Sequence, residues 1–311
     1  MDEGYVLVIG SAGMNVKGRP QTNELKWETS NPGRVRHRIS GVARNIAENL
    51  ARLEVETVLL TAVGDDAEGR HVLDYCTNKG INCQHARVVP GTRTGTYLAL
   101  LRPGGDLLVA VSDFDVMQAV DSAYLYEHES LLADADMVVI DATLAEATIA
   151  TLFELAERHH VRVCADPTTP ALAGRLCPYI PQLHLLTPNA SETTALCGLV
   201  GEVHDHETSI NAARQLVAMG AYIAVVTMGD KGLAYADGSG GGFISAVRAN
   251  VVDSTGAGDA LTGAVIFGLL NEVPLDEAMR LGVTAASLTL QTNETVLPNL
   301  SQELLYDHLA V

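Results

Sequence analysis

Short apolar runs that alternate with amphipathic stretches constrain this chain more than any other feature. Tyr5–Gly10 (YVLVIG), Thr57–Val63 (TVLLTAV), Met137–Ile140, Val161–Ala165, His184–Leu186 and Tyr222–Thr227 are such runs. A strand with one wet face alternates apolar and polar residues, whereas a continuous apolar run suits a strand buried on both faces. Between the runs lie stretches of helical period. Gly41–Leu53 carries apolar residues at 42, 46, 50 and 53, all on one helical face. Ala67–Lys79, Ala145–His159, Glu192–Cys197, Ser209–Met219 and Gly258–Leu270 also read as helices. This alternation predicts βαβ units and an α/β fold with a central, mostly parallel sheet flanked by helices. The 311 residues, 47% of them hydrophobic, supply an ample core, and no repeat or linker divides them, so residues 1–311 are expected to form a single domain.

Two stretches break the alternation. Residues 11–40 are polar and hold Pro20 and Pro32. Residues 92–112 read as a hairpin of two apolar strands around Pro103-Gly104-Gly105. A small β-sheet lid built from about 11–40 and 92–115 is the expectation, since such flaps often cover sites.

The formal net charge of −18 argues against nucleic acid and anionic membranes as partners. No apolar run reaches the roughly 18 residues of a membrane span. Met1-Asp2-Glu3 has no basic leader character, and the five cysteines include no CxxC pair, so a cytoplasmic protein with reduced thiols is expected.

The chemistry concentrates in 250-NVVDSTGAGDALTGAVIFGLL-270. A strand-like run ends at Asp253, a glycine turn follows, and an apolar helix begins. Gly256 and Gly258 expose backbone amides at a helix N-terminus, where the dipole also favours anions. Such amides can stabilise a transferring phosphoryl group. Asp259, in the first turn, can take a proton from an attacking hydroxyl. The bland reading is an ordinary N-terminal Asp after a glycine turn. No GxxxxGK[ST] or GxGxxG run competes for the phosphate. The tract His204-Asp205-His206-Glu207 reads as a solvated loop rather than a metal site.

The heptapeptide Asp253-Ser254-Thr255-Gly256-Ala257-Gly258-Asp259 resembles the signature of the ribokinase-like (PfkB) carbohydrate kinases. Three further runs resemble that family in its order: Gly41-Val42-Ala43-Arg44-Asn45, Thr187-Pro188-Asn189-Ala190-Ser191-Glu192 and Val226-Thr227-Met228-Gly229-Asp230-Lys231-Gly232. The resemblance covers essentially the whole chain. It implies a ribokinase-like fold and an ATP-dependent kinase. Asp259 would be the catalytic base, with the amides around Gly256, Ala257 and Gly258 on the phosphoryl group. Asn15, Asn31, Gly41, Val42, Asn45 and Thr96 would hold the acceptor. Asn189, Thr227, Gly229, Gly232, Thr255, Gly256 and Gly258 would shape the nucleotide site. Asn189 and Glu192 would position Mg²⁺ through water, and Asp253 would bind a monovalent cation such as K⁺.

Local runs refine the acceptor. Ser30-Asn31-Pro32-Gly33, Arg44–Ala51 (RNIAENLA), Val89-Pro90-Gly91 and Thr96–Leu101 look most like members acting on pseudouridine at its 5′-hydroxyl. Ribose, adenosine, another nucleoside or a hexose stay open as acceptors, as does a non-catalytic nucleoside-binding role. The chain departs from the family's usual Asn-x-Asp after the first strand, having Gly13 and Asn15 there. It has Ser40 before Gly41, and Leu172 with Arg175 where relatives place a Lys. The resemblance also implies a homodimer through the lid.

Overall fold

The computed structural model describes residues 4–22, 24–104, 107–199 and 203–309. Met1-Asp2-Glu3, and Gly105 of the expected hairpin turn, lie outside the described residues. The apolar runs form the core of an eight-stranded sheet. Its order is Gly240–Ser245, Gly232–Asp237, Ile223–Thr227, Leu183–Leu186, Arg162–Asp166, Met137–Asp141, Val6–Ile9 and Thr57–Leu60. The last six of these run parallel to one another, and the first two add as antiparallel strands. Val6–Ile9 is wholly buried because strands flank both its edges and apolar clusters cover both its faces.

Every helix expected from periodicity is present within a few residues: Val42–Arg52, Ala67–Asn78, Glu146–His159, Ala190–Cys197, His206–Ala218 and Ala257–Leu270. The sequence reading missed Leu275–Thr289, which packs on Ala257–Leu270, and the antiparallel pair Gly232–Asp237 and Gly240–Ser245. Those two strands are rich in glycine and short of β-branched residues, so they lack the composition that marks a strand.

Three local expectations are corrected. Thr57–Val63 is not one strand. The chain leaves the large sheet after Leu60, and Ala62–Gly64 pairs with Arg87–Val89 instead. Asn250–Asp253 is not a strand, because the Val252 amide bonds the carbonyl of Leu290 at the end of a helix rather than a neighbouring strand. His206 and Glu207 are not in a loop. Asp205 caps the helix His206–Ala218, its carboxylate accepting from the Thr208 amide at 2.8 Å.

The two interruptions do meet. Gly13–Pro20, Gly33–Ser40, Gly95–Leu101 and Leu107–Asp113 form a smaller four-stranded sheet. Gly13–Pro20 pairs antiparallel with Gly33–Ser40 and parallel with Gly95–Leu101. In register, Asn15 lies between Arg38 and Tyr97, and Lys17 between Arg36 and Ala99. Side chains alternate between faces, so Asn15, Lys17, Arg36, Arg38 and Tyr97 share one face. Val16, Val35, Leu98, Val109 and Val111 occupy the other. All five cysteines are free. Among the described residues no helix is long and apolar enough to cross a membrane.

Candidate active site

The candidate residues gather at the carboxyl ends of the parallel strands, where open α/β sheets place their ligands. Val6–Ile9 leads into Gly10 and Ser11. Met137–Asp141 and Arg162–Asp166 each end on a buried aspartate. Leu183–Leu186 leads into Thr187 and Asn189, and Ile223–Thr227 ends beside them, the Thr227 amide donating to the Pro188 carbonyl at 2.9 Å.

Asp141 organises the first half of the site. Its carboxylate accepts from the Ser11 amide at 2.8 Å, the Ser11 hydroxyl at 2.5 Å and the Ala43 amide at 3.1 Å. The Ser11 hydroxyl in turn accepts from the Val42 amide at 3.0 Å. These bonds hold Gly41 at φ 116°, where a Cβ would stand 2.4 Å from the Ser11 carbonyl oxygen. Only glycine fits this turn. The helix that starts here carries Asn45, whose Nδ2 donates to Asp259 at 2.6 Å.

Gly256 organises the second half. It sits at φ 84°, and a Cβ there would lie 1.8 Å from the Thr295 carbonyl oxygen. Ala257 is the first helical residue. Gly258 is already helical and faces open space, so the turn itself rests on Gly256. Asp259, 9% exposed, is in the first turn of this helix. Burial pushes its carboxyl up to about 7; Asp141 and Glu192 add to the rise, while the Asn45 amide and Arg44 oppose it. A carboxylate of that strength is poised to take a proton near neutral pH.

Arg44 is a positioning residue that the sequence reading quoted without a role. It is 1% exposed and donates to Glu48 and to Asn45 Oδ1, and to Thr295 Oγ1 at 3.3 Å. With its carbonyl side held by Arg44, the Asn45 carboxamide turns its NH₂ toward Asp259. Asp141 and Asp166 were also missed, because a lone aspartate ending an apolar run has no distinguishing local pattern.

Other expected residues behave differently. Asn189 and Glu192 form a reciprocal capping box: the Glu192 amide donates to Asn189 Oδ1 at 3.0 Å, and the Asn189 amide to Glu192 Oε2 at 2.8 Å. Glu192 is 4% exposed, and burial raises its carboxyl against the opposing bonds from Asn189. Burial also lifts Asp166 well above the carboxylate range, with Glu192, Asp259 and Asp141 repelling its charge. Thr255 lies in the glycine turn beside Asp253. Gly229 and Gly232 form the turn after Thr227, at φ 59° and 120°.

Asn15 is 4% exposed, and its Oδ1 has no partner, so a buried acceptor faces the cleft unsatisfied. Asn31 is not brought to these groups by any bond. Its side chain closes its own turn, accepting from the Lys26 amide and donating to the Lys26 carbonyl, both at 2.8 Å. Thr96 pairs with Met14, so it lies on the face of the smaller sheet opposite Asn15; Tyr97 shares the Asn15 face.

Asp253 carries a cation other than the expected K⁺. Lys17 Nζ lies 2.7 and 2.8 Å from its two oxygens and donates to the Thr255 hydroxyl as well. Burial alone would raise the Asp253 carboxyl, but Lys17 and the Thr255 amide hold it below the usual range. The residues around Asp253 therefore do not fit a free monovalent cation, because an ammonium already occupies that position.

Comparisons with known proteins give the family and the fold. The family model of the pfkB family carbohydrate kinases matches residues 3–302. The pseudouridine kinase of Escherichia coli is 32% identical over 301 residues, covering 96% of this chain and 95% of its own. The guanosine-inosine kinase of Exiguobacterium acetylicum is 28% identical and covers 93% and 95%. The structure of Arabidopsis thaliana ribokinase complexed with ribose and ATP superposes with a TM-score of 0.86 over 99% of both chains, at 20% identity, and so shares the fold. With a family model matched over residues 3–302 and a relative 32% identical over nearly its whole length, and with a buried aspartate at a glycine-turn helix on a ribokinase-like sheet, this chain belongs to the pfkB carbohydrate kinase family, as a sugar or nucleoside kinase that transfers a phosphoryl group to an alcohol.

Proposed function

We propose that the chain phosphorylates the 5′-hydroxyl of a nucleoside with ATP, pseudouridine being the first candidate. The observation that carries the chemistry is the buried Asp259 carboxylate, held at 2.6 Å by Asn45 at the start of the Ala257–Leu270 helix. Asp259 takes the acceptor hydroxyl's proton as the hydroxyl oxygen attacks the γ-phosphorus, and the bond from that phosphorus to the β–γ bridging oxygen breaks to release ADP. The amides of the Gly256 turn meet the charge on the transferring group. Asn15, with an unpaired carbonyl, accepts a hydrogen bond from a sugar hydroxyl without the charge assistance an aspartate would add. Thr227, Gly229 and Gly232 border the nucleotide.

Mg²⁺ suits the carboxylates of Asp166 and Glu192, since a divalent cation would relieve the burial of both and the repulsion that Glu192 exerts on Asp166; bound, it would neutralise charge on the phosphates. The smaller sheet acts as the lid of a single kinase unit. Its outer face exposes Val35, Leu98, Val109 and Val111, between 50% and 65% accessible, which supports a homodimer through paired lids. Sedimentation at micromolar protein should give a dimer, and Val111→Lys should shift it to monomer; a monomeric parent would count against this contact. The free cysteines support a cytoplasmic setting.

Pseudouridine rests on the similarity to the Escherichia coli enzyme over nearly the whole chain. An ATP-consumption assay across pseudouridine, uridine, inosine, guanosine, adenosine, ribose and a hexose tests it. Pseudouridine should have the highest kcat/KM, about 10-fold or more above the others. Preference for free ribose over every nucleoside would sink the acceptor assignment. Tight nucleoside binding with no ADP formed would replace the enzyme by a binding protein.

A further inference from the structure

We propose that the Lys17 ammonium is a tethered monovalent cation for the Asp253–Gly256 turn, so that phosphoryl transfer by this chain needs no free potassium. Three oxygens surround Nζ: both from Asp253 and the hydroxyl of Thr255. The Lys17 and Asp253 side chains are only 16% and 20% exposed, so a free cation has no separate access to this carboxylate. Asp253 Oδ1 also accepts from the Thr255 amide at 2.9 Å. The charge therefore acts on the turn that runs into Gly256 and the Asp259 helix.

The strand that carries Lys17 is built to be held there. Lys17 lies directly opposite Arg36, and Arg38 is next along the same face. Like charges across a sheet repel unless each finds a counterpart. Arg38 pairs with Glu294 at 2.9 Å and Arg36 donates to Asn293, while Lys17 takes Asp253. All three contacts reach the 293–295 loop or the turn that packs against it, since Thr295 supplies the carbonyl in front of Gly256. Asn15, two residues from Lys17, presents its unpaired oxygen to the same cleft. Lys17 thus joins the acceptor-side strand to the phosphate turn through a covalently attached cation.

The kinetic test rests on the kinase reading above; a thermal test does not. At fixed ionic strength, replacing tetramethylammonium by K⁺ should change the parent's turnover by less than about twofold. Lys17→Met should lose about 10-fold or more in kcat, and K⁺ or NH₄⁺ should restore part of it. Lys17→Arg, which keeps the charge, should retain more activity than Lys17→Met and stay indifferent to K⁺. In melting experiments without substrate, K⁺ should raise the Tm of Lys17→Met and leave the parent unchanged. Activation of the parent by K⁺ of more than about fivefold would overturn the proposal. So would a slow Lys17→Met enzyme whose rate and Tm ignore every cation. Should no acceptor be turned over, the Tm comparison still decides. Should Lys17→Met not fold, Lys17→Arg and the parent's response to K⁺ decide.

Discussion

Asp259→Asn should lower kcat by roughly 10²–10⁴, with much smaller changes in the binding of acceptor and ATP. The substitution keeps the shape and removes only the base. The pH dependence gives a second reading. The Asp259 carboxyl is raised to about 7, so the parent's kcat/KM should rise with pH to a plateau above about 7 and fall below it. The residual activity of Asp259→Asn should lack that limb. Stability should move the opposite way. The folded state keeps the Asp259 proton between the ordinary value of 3.8 and about 7, so this group favours folding at low pH and loses that contribution as pH rises through about 7. At pH 8 the Asn variant should therefore melt no lower than the parent. Near-normal turnover by Asp259→Asn would remove Asp259 from the role of base.

The largest loss of stability should follow Arg44→Met. Arg44 and Glu48 are 1% and 0% exposed, and their ion pair lies inside the helix Val42–Arg52 and its packing. Removing one member of a buried pair leaves the other charge uncompensated and costs about 3–5 kcal/mol. Arg52 remains on Glu48 Oε1 at 2.6 Å and places the cost at the lower end. At about 1.5 °C per kcal/mol for a chain of this length, Tm should fall by about 5 °C. Turnover should fall as well, because Asn45 loses the bond that fixes its carboxamide and with it the orientation of Asp259. Arg44→Lys should recover part of the stability but less of the turnover, since an ammonium cannot span Asn45, Glu48 and Thr295 together. A melt within about 2 °C of the parent would show that the pair contributes little.

Much of this molecule is legible in its sequence. The parallel strands were visible as apolar runs, because a strand covered on both faces leaves no polar position to confuse the period. Val42–Arg52 was visible through its one-sided apolar spacing, and Ala257–Leu270 as a continuous apolar run after a glycine turn. Leu275–Thr289 was missed although Leu275, Met279, Gly282, Val283 and Ala286 recur at helical spacing. The Gly232–Asp237 and Gly240–Ser245 strands escaped because backbone pairing, not side-chain composition, makes them strands.

By itself the sequence determined the parallel α/β architecture, the glycine turn and the aspartate that follows it. These are local properties: periodicity, backbone freedom at glycine, and the order of a few side chains along one helix start. Only the tertiary structure decided which groups surround that aspartate. Asn45 reaches Asp259 from 214 residues away, and Lys17 reaches Asp253 from 236. Strand register set Tyr97 rather than Thr96 beside Asn15, since one residue of offset exchanges the faces of a strand. The cation on Asp253 was decided in the same way. A carboxylate in the sequence indicates that a positive charge will be held, while the packing of a distant strand determines that here the charge belongs to Lys17.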